Sequence, residues 1–184
     1  MSIPVLIFVA AIVIIILYIW SIYNSLATGK VRIQEALSDI DVQLKRRVDL
    51  IPNLIETVKG YAKHEKEIFE NVTKARSQLL KADTLSDKAQ SNNMLSDALK
   101  SLFAVAENYP NLKASDNFKE LQEELSDTED KIAYSRRFYN ANVRDYNTLL
   151  ANFPSGALGK IFGFSEMEFF ETDEDDKKPV KVKF

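Results

Sequence analysis

Residues 40–65 read IDVQLKRRVDLIPNLIETVKGYAKHE. Ile40, Leu44, Val48 and Ile51 recur at intervals of three and four, with Ile33 and Leu37 in phase before them, so one apolar stripe runs along a helix. Asp39, Asp41, Lys45, Arg46 and Arg47 fall between the stripe residues. Inside a helix, a proline deletes a backbone hydrogen bond and clashes one turn back, costing about 3 kcal/mol; at the first helical position it costs neither. The spacing therefore predicts a first helix that ends at Pro52 and a second that starts there. Leu54, Ile55, Val58, Tyr61, Ala62, Ile68, Phe69, Val72, Ala75 and Leu79 carry that second helix on. Gly60 falls inside it, about 1 kcal/mol worse than alanine. Close approach of a neighbouring helix or a bulky ring is the expected reason, with a hinge as the alternative.

Upstream lies a segment of a different kind. Ile3 to Tyr23 reads IPVLIFVAAIVIIILYIWSIY, and no Lys, Arg, Asp or Glu precedes Lys30. About twenty apolar residues are the length needed to cross a hydrocarbon core about 30 Å thick. Tyr18, Trp20 and Tyr23 gather at its end, where amphipathic rings favour the headgroup layer. A cleaved signal peptide would carry a basic start and an apolar core of only about 7–15 residues; a retained anchor over residues 1–23 fits better. Lys30 and Arg32, then Lys45, Arg46 and Arg47, follow the span, and nothing basic precedes it. The positive-inside rule then places the N-terminus outside and the body in the cytoplasm, as a single-pass protein of the cell membrane.

Downstream, Lys81–Asn93 is polar and rich in cap residues, which predicts a turn, and Thr84 with Asp87 resembles a capping box. A third helix follows through Met94, Leu95, Leu99, Leu102, Phe103 and Tyr109 and closes at Pro110. In the fourth, Phe118, Leu125, Ile132, Tyr139 and Tyr146 repeat every seven residues, interleaved with Leu121, Thr128, Ser135, Asn142 and Leu149. These are the two core columns of a heptad. The polar members Thr128, Ser135 and Asn142 read as small side chains bonding within the core, or else as the wall of a polar cavity. Pro154 and the glycines after it stop this helix. The tail, 154–184, is aromatic and then charged: Phe162, Phe164, Phe169 and Phe170 should dock on the helices, a partner or the membrane. The carboxylate-dense run from Glu166 to Asp176 and the lysines after it read as solvated and mostly disordered.

The fold class predicted is all-α. An N-terminal transmembrane helix leads into an antiparallel up-and-down four-helix bundle of long helices over 24–153. Composition agrees: between Gly29 and Gly156 the only glycine is Gly60, so little interrupts helical backbone. The absence of cysteine excludes disulfides, thiolate metal sites and cysteine nucleophiles, and a net charge of −3 gives no reason to expect a nucleic-acid partner. A di-iron site would need two Glu-x-x-His pairs, but the one histidine, His64, follows Tyr61 at that spacing. No phosphate loop, zinc-protease motif or nucleophile elbow is present. The expectation is therefore no catalytic residue, no cofactor and no metal.

Several long segments resemble the LemA family of bacterial membrane proteins. They are DVQLKRRVDLIPNLIETVKGYAKHE, ENYPNLKAS, SRRFYNANVRDYNTLLANFPSGALGKIFGF and the close FFE…KPVKVKF. The resemblance covers nearly the whole chain in order. It implies one N-terminal anchor, an up-and-down helical bundle, membrane location with an external N-terminus, and no assigned chemistry.

Alternating helix direction places the turns near Pro52 and Pro110 at one end. A distal interaction pole would bring Arg46, Arg47, Asp49, Asn53 and Glu56 towards Glu107, Asn108, Tyr109, Asn111 and Lys113. A membrane-proximal pole would gather Arg136, Arg137, Asn140, Arg144 and Asn147. Caps and surface ion pairs worth about 0–1 kcal/mol each are the plainer account of both. The function expected is a non-enzymatic, membrane-anchored interaction or scaffold protein. It would bind the lipid bilayer through residues 3–23 and an unidentified protein or itself. The alternatives are a membrane-tethered ligand sensor using the polar column, and an oligomeric membrane-shaping protein.

Overall fold

Helix α1 runs from Ile3 to Lys59 without a break, in a computed structural model that describes residues 2–170. After it come α2 (Lys66–Leu80), α3 (Leu85–Ala106), α4 (Pro110–Ala114), α5 (Asp116–Ala151) and α6 (Ser155–Ile161). The described residues contain no strand. The first part of α1 is long and apolar enough to cross a membrane, with a mean hydropathy of 3.1 over its best window and none of that window buried. The same helix then carries the stripe Ile33, Ile40, Leu44, Val48 and Ile51 into the core. The apolar segment and the first core helix are thus one element.

Pro52 does not end the helix, contrary to the sequence reading. Its missing N–H leaves the carbonyl of Val48, four residues back, without an intrahelical donor. Arg76 of α2 supplies one: its Nε donates to Val48 O at 3.0 Å. With that acceptor satisfied from outside, the helix continues and buries Leu54, Ile55 and Val58. Gly60 consequently lies in the turn after α1 rather than inside a second helix, and α2 starts at Lys66.

Other boundaries shift for local reasons. Thr84 is the N-cap of α3: its Oγ1 accepts from Asp87 N at 3.0 Å and donates to Asp87 Oδ2 at 2.7 Å. The predicted turn is therefore short, and α3 begins at Leu85, burying Ala89, Ser91 and Asn92. Pro110 opens the five-residue α4 at its first turn instead of merely closing α3. In α5 the first heptad column, Phe118 to Tyr146, is buried throughout. The second column is not: only Thr128 is buried, Leu149 is exposed, and Val143 and Leu150 take the inner places. An α-helix drifts about 20° per heptad against a strict seven-residue repeat, so the buried stripe slips by one position along α5.

The chain divides into two compact units, residues 2–38 with 137–169, and residues 39–136 with Phe170. In the first, a Cβ added to Gly29 would meet the Tyr146 ring at 3.0 Å, so the glycine between the apolar segment and the stripe serves close helix contact rather than a break. Gly156 and Gly159 lie inside α6, whereas Gly163, at φ +77°, follows its end. A Cβ on Gly156 would fall 2.1 Å from the Leu150 carbonyl oxygen, so only glycine lets α6 fold back onto the end of α5. The segment after α6 is held by Asn147, whose side-chain amide exchanges two hydrogen bonds of 2.9 Å with the Met167 backbone. Tyr139 adds a third, donating its hydroxyl to Glu168 O at 2.9 Å. Phe162 and Phe164 both set their rings edge-on to Tyr23.

In the second unit, α2 packs along α3. Lys88 of α3 pairs with Asp41 of α1 at 2.6 Å, and the Phe103 and Phe118 rings meet edge-on at 6.1 Å between α3 and α5. Phe170 is buried beneath Arg136, 5.0 Å from ring centre to guanidinium. Phe169 stays exposed. Most of the predicted acidic run, and all the lysines after it, lie outside the described residues.

Replacing Arg76 with methionine should cost roughly 1–3 kcal/mol, the penalty of a buried acceptor left unpaired. In a Pro52→Ala background, where the alanine N–H can restore the helical bond, the same change should cost less. Thermal unfolding of the full chain in mild detergent, followed by circular dichroism, measures both.

Candidate functional site

Arg47 sits three residues after Leu44 and four before Ile51, the spacing of the buried stripe. Its side chain is only 2% exposed. Nη1 donates to Asn92 Oδ1 of α3 at 2.7 Å, and Nη2 pairs with Glu129 Oε2 of α5. Ser96 Oγ completes the chain by donating to Glu129 Oε1 at 3.1 Å. Burial pulls the Arg47 pKa down and the Glu129 carboxylate pushes it back up. A guanidinium stays charged under either influence. Its Nε is buried with no hydrogen-bond partner. Beside it opens a groove of about 250 Å³, with Leu99, Phe103 and Leu125 as apolar wall and Ser96, Lys100 and Glu129 as polar rim.

This arrangement revises the predicted distal pole. Arg46 pairs with Glu124 at 2.5 Å and Asp127 at 3.5 Å, so both arginines turn to α5 and α3 rather than to residues 107–113. Asp49 pairs with Lys45 along the helix. Asn53 and Glu56 are exposed, as are Glu107, Asn108, Asn111 and Lys113. Tyr109 instead donates to Glu65 Oε1 at 3.0 Å, a bond that raises its pKa. Asn53 shares a groove with Asn117, Glu120 and Glu124. Sequence reasoning could have placed Arg47 inside from its register. Asn92 and Glu129, its partners 45 and 82 positions away, carried no such signal.

The other two groups also separate. Asn147 clamps the Met167 backbone and Arg136 covers Phe170, so both help hold the tail. Arg144 pairs with its neighbour Asp145 at 3.0 Å, Arg137 is exposed and Asn140 is half-buried. In the polar column, Thr128 Oγ1 donates to Leu125 O and Asn142 Nδ2 to Phe138 O, both at 2.8 Å and both within α5. Ser135 is half-buried. Two of the three polar groups are thus directed at their own helix.

The model of the LemA family matches residues 36–184. Among curated proteins, the magnetosome protein MamQ of Magnetospirillum gryphiswaldense is 26% identical over 86% of this chain and 68% of its own length. Magnetosome protein MamQ 2 of Paramagnetospirillum magneticum is 27% identical over the same shares. Protein LemA of Metamycoplasma hominis is 28% identical over 85% of this chain and 72% of its own.

Removing Glu129 as alanine should lower stability by about 2 kcal/mol, less than the ~3–5 of a fully buried pair because Glu129 keeps contact with water. Arg47→Met with Glu129→Ala should cost less than the sum of the single changes, by about 1–2 kcal/mol for two groups in direct contact. Denaturant unfolding of the full chain gives both figures. Burial also raises the Tyr139 phenol above its ordinary value. Its contribution should be complete below about pH 10, the unfolded value, and fall as pH climbs towards the higher folded one. Tyr139→Phe should therefore flatten the alkaline limb of a stability–pH curve.

Proposed function

We propose a non-enzymatic interaction role at a membrane for this chain, which belongs to the LemA family. Residues 3–23 span the bilayer, the N-terminus lies outside, and the rest stands in the cytoplasm as a scaffold for another protein or a second copy. The observation that carries this reading is the continuity of α1 from the apolar segment to Lys59. A helix that enters lipid at one end and anchors the core at the other fixes the body directly to the membrane.

The helical stretches within residues 39–136 form the up-and-down bundle in this reading. Support comes from the order of their pairings. Val48 meets Arg76 while Lys59 meets Phe69, so α2 runs against α1. Asp41 meets Lys88 while Arg47 meets Asn92, so α3 runs with α1. Ser96 meets Glu129 while Phe103 meets Phe118, so α5 runs against α3. Arg47, Arg76, Lys88, Asp41 and Glu129 are all engaged in these pairings between helices, which suits a role carried by surface.

A second reading is favoured by one feature, the groove beside Arg47 with its unpartnered buried Nε. A membrane-tethered sensor would take a small ligand there, not along the polar column of α5. Membrane shaping by oligomers is the third, and it requires large assemblies in detergent.

The tests use single cysteines, which the cysteine-free chain permits. With a membrane-impermeant maleimide on intact spheroplasts, Ser2→Cys should label and Lys113→Cys should label only after permeabilisation; the reverse pattern overturns the orientation. Photocrosslinkers at Glu56 and Lys113 in living cells should give discrete adducts heavier than the monomer. No adduct, together with a thermal shift on adding metabolite extract that Arg47→Met abolishes, would favour the sensor.

A further inference from the structure

Three large apolar side chains around α6 face outward: Phe153 is 90% exposed, Ile161 76% and Phe162 44%. The helix itself is firmly placed. Gly156 lies against the Leu150 carbonyl, and Gly159 fits between the Leu150 and Leu26 side chains. Phe164 and Phe162 close on Tyr23 at 5.6 and 5.3 Å between ring centres. These contacts fix the height of α6 along α1. It sits level with Tyr23 and Leu26, where the uncharged segment ends and before the exposed cations Lys30 and Arg32.

We infer that α6 with Phe153 and Phe162 is an interfacial foot that inserts into the same bilayer as the anchor. Exposed apolar groups gain about 25 cal/mol per Å² on leaving water, and a fixed helix cannot turn them inward. The exposed Phe162 ring meets the exposed Tyr23 at the end of the apolar segment, so the outward face of α6 adjoins the surface that lipid covers in that reading. Tyr and Trp rings favour the headgroup layer, and Phe side chains of an interfacial helix bury at the boundary just beneath it. Lys160, exposed beside Ile161, and Lys30 and Arg32, about 6–14 Å further along α1 than Leu26 and Tyr23 by helical rise, suit anionic headgroups. A second copy would have to cover Phe153 and Ile161 while its own anchor stayed in the membrane. The bilayer is already in contact at Tyr23. The foot rests on the reading of residues 3–23 as a span.

Two contacts with lipid, one through α1 and one through α6, would hold the unit of residues 2–38 and 137–169 at a fixed tilt instead of leaving it to swivel on a single helix. The experiment places bimane on single cysteines of the full chain in vesicles of phosphatidylcholine and phosphatidylglycerol, 3:1. The sites are Phe153→Cys and Ile161→Cys, with Ile12→Cys inside the span and Lys131→Cys on exposed α5 as references. Brominated lipid should quench the probe at least twofold at 12, 153 and 161 and leave 131 unchanged, while aqueous iodide does the opposite. Lipid quenching at 12, with 153 and 161 as open to iodide as 131, overturns the foot and spares the anchor. Shielding of 153 and 161 from both quenchers also overturns it and assigns the patch to protein. No lipid quenching at 12 brings down the anchor, and the foot with it.

Discussion

The carbonyl oxygen of Val48 has no donor in its own helix, because the residue four positions on is Pro52, and Arg76 fills the gap from α2. Everything else follows from the helix that this bond lets continue. Had α1 stopped at Pro52, Leu54, Ile55 and Val58 would have begun a separate element with its own direction. Instead they extend the buried face of Ile40, Leu44, Val48 and Ile51. A backbone amide lost to proline is replaced by a side chain from the packed neighbour, so α1 and α2 are joined at the point where α1 is weakest.

Arg47 adds a second constraint on the same face. A charged group in the core is tolerated only when paired and hydrogen-bonded, and its two partners belong to α3 and α5. Two arginines inside helices thus specify which helices meet which. Arg76 ties α2 to α1, and Arg47 ties α3 and α5 to it. Such ties favour one arrangement over the many that apolar stripes alone would allow, since leaf-for-leaf swaps of leucine and isoleucine cost little. They also absorb the ions that a sequence search would take for chemistry. In the other unit the ties are neutral: an amide clamps the Met167 backbone, and glycines admit α6.

Local patterns were readable from residues alone, and non-local rescues were not. The stripe of α1, the first column of α5 and the cap at Thr84 each depend on neighbours within a turn or two, and each is present. Pro52 misled because its rescuer stands 28 residues beyond the carbonyl it serves. The second column of α5 misled because a seven-residue repeat holds only while helices supercoil, and Val143 replaces Asn142 on the inner face. In the sequence Gly156 and Gly159 look like breakers. Their purpose, room for Leu150, is visible only once α5 and α6 touch. Of the candidate site, the core register of Arg47 lay in plain view. The acceptors that hold it belong to other helices.

Pulsed dipolar spectroscopy between spin labels at Val42 and Glu56, both exposed and on either side of Pro52, tests the continuity of α1 most directly. An unbroken helix sets the two backbones about 21 Å apart by helical rise, with one narrow distance distribution in the full chain reconstituted in lipid. A broad or markedly shorter distribution would mean that the helix turns at Pro52. In that event the anchor and the core would no longer share one helix.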